Sequence, residues 1–258
     1  MNLLDSIIFG IVEGISEFLP ISSTGHLMLT ARLLELSQTS FLKSFEIAIQ
    51  LGAILSVIIL YGKSLPVRFE ILKRVAAAFI PTAIIGFLFY KIIKKIFLAH
   101  NDIVLWSLFL GGIILIVFDL LHREKEDHTE DIANISYSQA ITIGIFQSVA
   151  IIPGVSRSAA TIIGGLLLGI KRKTIVEFSF LLAIPTMLAA TGLDLIKNAH
   201  SFSSDQFIFL SIGFATAFFV AILSIKFLLY FIQRNNFVWF GVYRVGIACV
   251  GWIFGLNK

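Results

Sequence analysis

Apolar runs recur along the chain at about 45–61, 75–93, 102–121, 175–196, 207–230 and 237–256. Each comes close to the roughly 20 residues a helix needs to traverse ~30 Å of hydrocarbon. Four other stretches are shorter or more polar. Residues 3–19 stop at Pro20 and contain Glu13 and Glu17, and residues 24–36 follow a polar tip. Residues 137–151 end just before Pro153, and residues 157–169 follow a second polar tip. Two short helices joined by a polar tip predict a re-entrant hairpin, which enters and leaves the membrane on one side. The expected fold is therefore an all-α integral membrane protein of six transmembrane helices plus two re-entrant helical hairpins, 3–36 and 137–169.

The pattern also repeats. Gly10-Ile11-Val12-Glu13 lines up with Gly144-Ile145-Phe146-Gln147, and Pro20 through Ser23 with Pro153 through Ser156. Phe45-Glu46-Ile47-Ala48 is echoed by Val176-Glu177-Phe178-Ser179, and Pro81-Thr82-Ala83 by Ala215-Thr216-Ala217. The offsets stay between 131 and 134 residues and keep their order. Polar and proline landmarks coincide, not only apolar ones, which points to a true repeat. Each half would supply one hairpin and three spans, an odd number, so the second half is expected to be inverted relative to the first. The halves are 1–132 and 133–258, together one integral membrane domain. Inverted repeats with broken helices place their sites near the midplane, where the two tips can meet.

Composition narrows the class. With 57% hydrophobic residues, 14% charged and a mean hydropathy of +0.94, the chain reads as a membrane protein rather than a soluble domain. A single cysteine, Cys249, excludes an intramolecular disulfide and a thiolate metal cluster. Residues 1–5 lack a basic segment and a small-residue cleavage site, so the first helix is expected to stay in the mature protein. The net charge of +4 is spread through loops, with no basic face interleaved with aromatics, so no nucleic-acid partner is expected. Eleven Lys and Arg fall in loops on one side against seven on the other, which predicts the first side as cytoplasmic. The first hairpin would then open to the outer face.

The tips carry the chemistry. Each has a proline stop followed by hydroxyl residues able to cap a new helix, and the N–H groups of a helix N-terminus form a ready site for an anion such as phosphate. Polar groups are costly at membrane depth, so function is the default reading of such clusters. Glu13 and Glu17 are four apart and share one helix face. They could hold Mg²⁺ or Ca²⁺ through oxygen, or act as a general base and its partner. One of Ser22, Ser23 and Thr24 caps the next helix, and the other hydroxyls are free to bind phosphate or attack it. His26 could activate Ser23, be the nucleophile itself, or protonate the leaving group. At the second tip Arg157 can clamp phosphate in bidentate fashion or form a salt bridge to Glu13 or Glu17. Ser156, Ser158 and Thr161 could add hydrogen bonds. Supporting roles fall to Glu46 and Gln50, to Glu177, the repeat partner of Glu46, and to Gln147, the neutral echo of Glu13. Asp119, Asp194 and Arg244 are further charges within apolar sequence. The run 123–128 reads as a solvated loop joining the repeats.

At these residues the chain resembles the bacterial undecaprenyl-diphosphate phosphatase family, known for bacitracin resistance. Glu13-Gly14-Ile15-Ser16-Glu17-Phe18-Leu19-Pro20-Ile21-Ser22-Ser23-Thr24-Gly25-His26 is similar to its first motif, and Pro153-Gly154-Val155-Ser156-Arg157-Ser158 to its second. One departure is Ala159-Ala160, where the family usually has Gly-Ala. The resemblance implies removal of the terminal phosphate of a long polyprenyl diphosphate, which regenerates the monophosphate carrier of cell-wall synthesis. It also implies a divalent-cation requirement, a multi-pass protein of the bacterial plasma (inner) membrane and a site open to the outer, periplasmic face. Bacitracin would compete for the substrate, and a homodimer stays open. Carried over by residue, Glu13 and Glu17 match the acidic pair, Ser23 and His26 the nucleophile candidates, and Arg157 the phosphate clamp. Whether serine, histidine or water attacks is left open.

Two alternatives stand beside this reading. Ser22 through His26 faintly resembles the Pro-Ser-Gly-His element of the acid-phosphatase class of lipid phosphatases. That class needs a second histidine six residues after its arginine, where this chain has Ile163, and it is rejected. A transporter or flippase of a polyprenyl phosphate or other anion fits the inverted repeat but would hardly need Glu13, Glu17 and His26 together.

Overall fold

The structure is a computed structural model that describes residues 1–37, 39–62, 69–92, 101–124, 128–198 and 204–255. Ten α-helices account for most of it: α1 (Leu3–Ser16), α2 (Ser23–Leu33), α3 (Ser40–Tyr61), α4 (Phe69–Ile92), α5 (Asn101–Leu121), α6 (Tyr137–Ser148), α7 (Arg157–Leu167), α8 (Arg172–Asn198), α9 (Ser204–Phe231) and α10 (Val238–Ile253). Among the described residues there is no strand, only an isolated bridge between Thr129 and Ile170. Segments of α3, α4, α5, α8 and α9, 20 to 26 residues each, are long and apolar enough to cross a membrane. The protein is an all-helical, multi-pass membrane protein. Six of the loop charges behind the expected orientation, Lys63, Arg68, Lys94, Lys95, Lys125 and Lys258, lie outside the described residues, as do positions 125–127 of the connecting run. The side chain of Asp194 is likewise not described.

The sixth expected span, 237–256, is shorter than its apolar run. Helix α10 has 16 residues, about 24 Å of rise, because Gly255 at φ +64° turns the backbone out of helix. The span expected from residue 45 starts five residues earlier, at Ser40, where the Thr39 hydroxyl accepts the Leu42 amide at 3.1 Å.

The two short-helix pairs are built alike. Helix α1 opens with a capping box between Asn2 and Asp5, and α6 with one between Ser136 and Gln139. Each first helix stops before its proline, and each second helix has 11 residues. Packing follows an exchanged pattern: α1 lies on α9 while α6 lies on α4, α3 and α8 pack together, and α5 pairs with α10. Lipid tails are as apolar as the helix faces, so association at this depth depends on close backbone approach through small residues. A Cβ on Gly10 would come within 2.7 Å of the Gly213 carbonyl of α9, and one on Gly144 would strike the Ala78 carbonyl of α4. The aromatic pair Phe18 and Phe180 meets edge-on at 5.3 Å and fastens the first tip to α8.

Candidate active site

Both tips converge on one small cavity of about 80 Å³, lined by Glu17, Ser22, Ser23, Thr24, Gln50, Ala150, Gly154, Ser156, Arg157 and Met187. That is several water molecules' worth of space. The two N-cap serines adopt the same rare backbone conformation, φ 75° and ψ 96° at Ser22 against φ 75° and ψ 113° at Ser156. A positive φ outside glycine costs on the order of 1–3 kcal/mol and marks functional sites. Each serine hydroxyl accepts the amide three residues on, Gly25 at 3.4 Å and Ala159 at 3.3 Å. The amides of Ser23, Thr24, Arg157 and Ser158 find no protein acceptor among the described residues. Two helix N-termini therefore offer free N–H groups around one cavity, an arrangement suited to an anion.

Charged side chains complete it. The Ser23 hydroxyl donates to Glu17 Oε2 at 2.6 Å, and Arg157 Nη2 reaches Glu17 Oε1 at 3.0 Å. Arg157 Nη1 donates to the Ser179 carbonyl at 2.8 Å, and its Nε is buried with no acceptor. The expected salt bridge of Arg157 is thus made to Glu17, and the residue also lines the cavity. Glu13 is fully buried, and neither of its carboxylate oxygens has a donor. The charges of Glu17, Glu46 and Arg157 act on it. Buried carboxylates facing one another need a shared proton or a cation to offset their charge. Both Glu17 oxygens are engaged, by Ser23 and Arg157, while those of Glu13 are not, and this all-oxygen donor set fits a divalent cation. Among the described residues no three His, Cys, Asp or Glu side chains group as a cage. A cation held by Glu13 and Glu17 would take its other ligands from water and substrate phosphate, as Mg²⁺ commonly does.

Several predicted roles are redistributed. His26 does not pair with Ser23: its Nδ1 lies 2.7 Å from the Ser22 carbonyl and its Nε2 2.8 Å from the Tyr243 hydroxyl. The ring is near-parallel to Tyr243, at 6°. Because a carbonyl only accepts, Nδ1 carries the hydrogen and a neutral Nε2 accepts from Tyr243. Ser158 turns its hydroxyl to the Leu19 carbonyl at 3.0 Å, which makes it a tie between the tips. Thr161 donates to the Arg157 carbonyl one turn back, a common resting place for a helical threonine, and does not line the cavity. Gln147 gives its amide to Thr82 and Thr186, away from the cavity lining. Glu177 does not line the cavity, and the charges that act on it include Lys173 and Asp131. Gln50 does line the cavity, and Glu46 stands near Glu13.

Two residues were under-read from sequence. Arg244 stood out only as one charge in an apolar run, and it proves fully buried beneath both tips. Tyr243 gave no local signal, since its partner His26 is 217 positions away.

The chain is 53% identical to an undecaprenyl-diphosphatase of Persephonella marina over 256 residues, covering 99% of this chain and all of that protein. It is 54% identical to one from Aquifex aeolicus and 49% identical to one from Wolinella succinogenes, each covering 97% of both chains. Residues 6–250 match the family described as bacitracin resistance protein BacA. The chain belongs to that family.

Proposed function

We propose that this protein hydrolyses undecaprenyl diphosphate to undecaprenyl phosphate and inorganic phosphate in a bacterial inner membrane, recycling the lipid carrier for peptidoglycan synthesis. The observation that carries the reading is the Ser23 hydroxyl, held at 2.6 Å by Glu17 in a cavity that Arg157 also lines. The relatives' shared name supports the same reaction. Bacitracin competes for the same lipid in this reading.

Ser23 Oγ is the favoured nucleophile, because both ring nitrogens of His26 are already engaged. Glu17 accepts the serine proton as Oγ attacks the terminal phosphorus, and undecaprenyl phosphate leaves with the bridging oxygen. Water then cleaves the phosphoseryl group, releasing phosphate and restoring the hydroxyl. The Arg157 guanidinium and the free amides of α2 and α7 offset charge on the phosphoryl oxygens. Glu13 and Glu17 would hold a divalent cation, which when bound would supply positive charge to offset that of the diphosphate. His26 orients the first tip through Ser22 and holds its Nε2 available to a proton once Tyr243 gives way.

The finer topology is part of the same reading. Helix α10 serves as the sixth span, and α1–α2 and α6–α7 as the re-entrant hairpins of an inverted repeat, 1–132 and 133–258. Matched capping boxes, twin positive-φ serines and exchanged helix pairings support it. The cavity opens to the outer face, in keeping with the loop charges.

The test is phosphate release from a polyprenyl diphosphate by detergent-purified protein, with and without Mg²⁺ or Ca²⁺. Cation-dependent release is expected. Tight lipid binding by folded protein without release would support a transporter instead.

A further inference from the structure

Arg244 belongs to neither motif and does not line the cavity. It is fully buried on α10 and makes no ion pair among the described residues. Its guanidinium is met entirely by backbone carbonyls. Nη1 donates to Val155 at 3.0 Å and to Pro20 at 3.4 Å, and Nη2 to Gly154 and Ser107, each at 3.0 Å. Nε lies 3.4 Å from the Leu108 carbonyl. One cation thus holds both tips and the helix α5 behind them. The neighbouring helix is shaped for it: a Cβ on Gly111 would collide with the Arg244 guanidinium, whose atoms are the three nearest to that point.

The carbonyl contacts have a consequence on the opposite side of each peptide. In a planar trans peptide the C=O and N–H point in opposite directions, and the structure has no cis peptide among its described residues. With the Val155 carbonyl drawn down to Arg244, the Ser156 N–H of the same peptide is turned away from it. That N–H finds no protein acceptor among the described residues, and Ser156 lines the cavity.

We infer that Arg244 is a positioning residue for phosphate chemistry: it fixes the two tips against each other and turns the second tip's amide towards the anion. The inference rests on the hydrolase reading above. The other two ties between the tips, Arg157 with Glu17 and Ser158 with the Leu19 carbonyl, use residues of the motifs themselves. Arg244 acts from outside them, so it sets their geometry without meeting substrate.

The glycine provides a test that spares the arginine. Gly111→Ala displaces the guanidinium while leaving every polar group present. In detergent-purified protein it is expected to lower kcat for phosphate release by about tenfold or more, since misplacing a site by ~1 Å can cost about a hundredfold. The unfolding temperature should stay within a few degrees and KM should change less than kcat. In an Arg244→Gln background, itself strongly impaired, Gly111→Ala should cost less than about threefold, because the displaced group is gone. Should Arg244→Gln not fold, Arg244→Lys provides the second background. An unchanged kcat in Gly111→Ala, an equal loss in both backgrounds, or activity that simply tracks unfolding temperature would overturn the inference. Absence of phosphate release from the wild type would instead remove the hydrolase reading, a separable outcome.

Discussion

The two tips share a backbone and differ in their side chains. Ser22 and Ser156 cap 11-residue helices from the same positive-φ conformation, and both helices leave amides free. Yet the first tip carries Glu13, Glu17, Ser23 and His26, and the second contributes Arg157 with no acid. The contrast is sharpest one helix back, where Glu13 is buried without a donor and Gln147 is tied to Thr82 and Thr186. In the proposed reading this is a division of labour: two like cradles bind the anion, one supplies the reacting groups, and the other supplies the compensating charge.

The largest break in this comparison comes from removing the charge of the second tip. Arg157→Ala should reduce phosphate release by about a thousandfold, the upper range for loss of one charge-stabilising donor. It should also lower the unfolding temperature, since a buried Glu17 without its partner costs about 3–5 kcal/mol. Gln147→Glu asks whether the second half can be given the first half's acid. The new carboxylate would face the Thr82 and Thr186 hydroxyls, which accept from Gln147 and donate to the Gly144 and Leu182 carbonyls. A drop of several degrees in unfolding temperature and no gain in turnover are expected, read by thermal denaturation and phosphate release. Tyr243→Phe tests a first-tip feature with no counterpart in the second: losing one hydrogen bond to His26 is worth about 1 kcal/mol, about a fivefold fall in kcat. The smallest effects are shared by both tips. Ser22→Ala and Ser156→Ala should each lower stability by about 1 kcal/mol, while the glycine variants should be nearly neutral, because glycine accepts the positive φ. A large difference between the two serines in this measurement would break the backbone equivalence.

Much of this was legible in the sequence because its signals are local. Proline stops, hydroxyl caps and a constant offset marked 3–36 and 137–169, and α1–α2 and α6–α7 fall within them. Glu17, Ser22, Ser23, Thr24, Ser156 and Arg157 come together as their spacing implied. Hydropathy alone misplaced ends: it left Lys43 outside a span that the Thr39 cap includes, and it ran past Gly255. What failed was choice of partner. Ser23 could satisfy its hydroxyl on Glu17 or His26, and only tertiary placement of Tyr243 decides where the histidine turns. Thr161 had the apt chemistry but found a carbonyl one turn away. Arg244 was visible as a costly charge, yet the carbonyls that receive it come from three distant segments.

The central claim is that the first tip alone holds the reacting machinery, with Glu13 as its unsatisfied cation ligand. A titration of Mg²⁺ or Ca²⁺ against phosphate release, in wild type and Glu13→Gln, tests it most directly. The account predicts a saturable cation response in the wild type, and in Glu13→Gln a loss of about a hundredfold or more with that response abolished or shifted to much higher concentration. A Glu13→Gln protein with undiminished turnover and the same cation midpoint would contradict it.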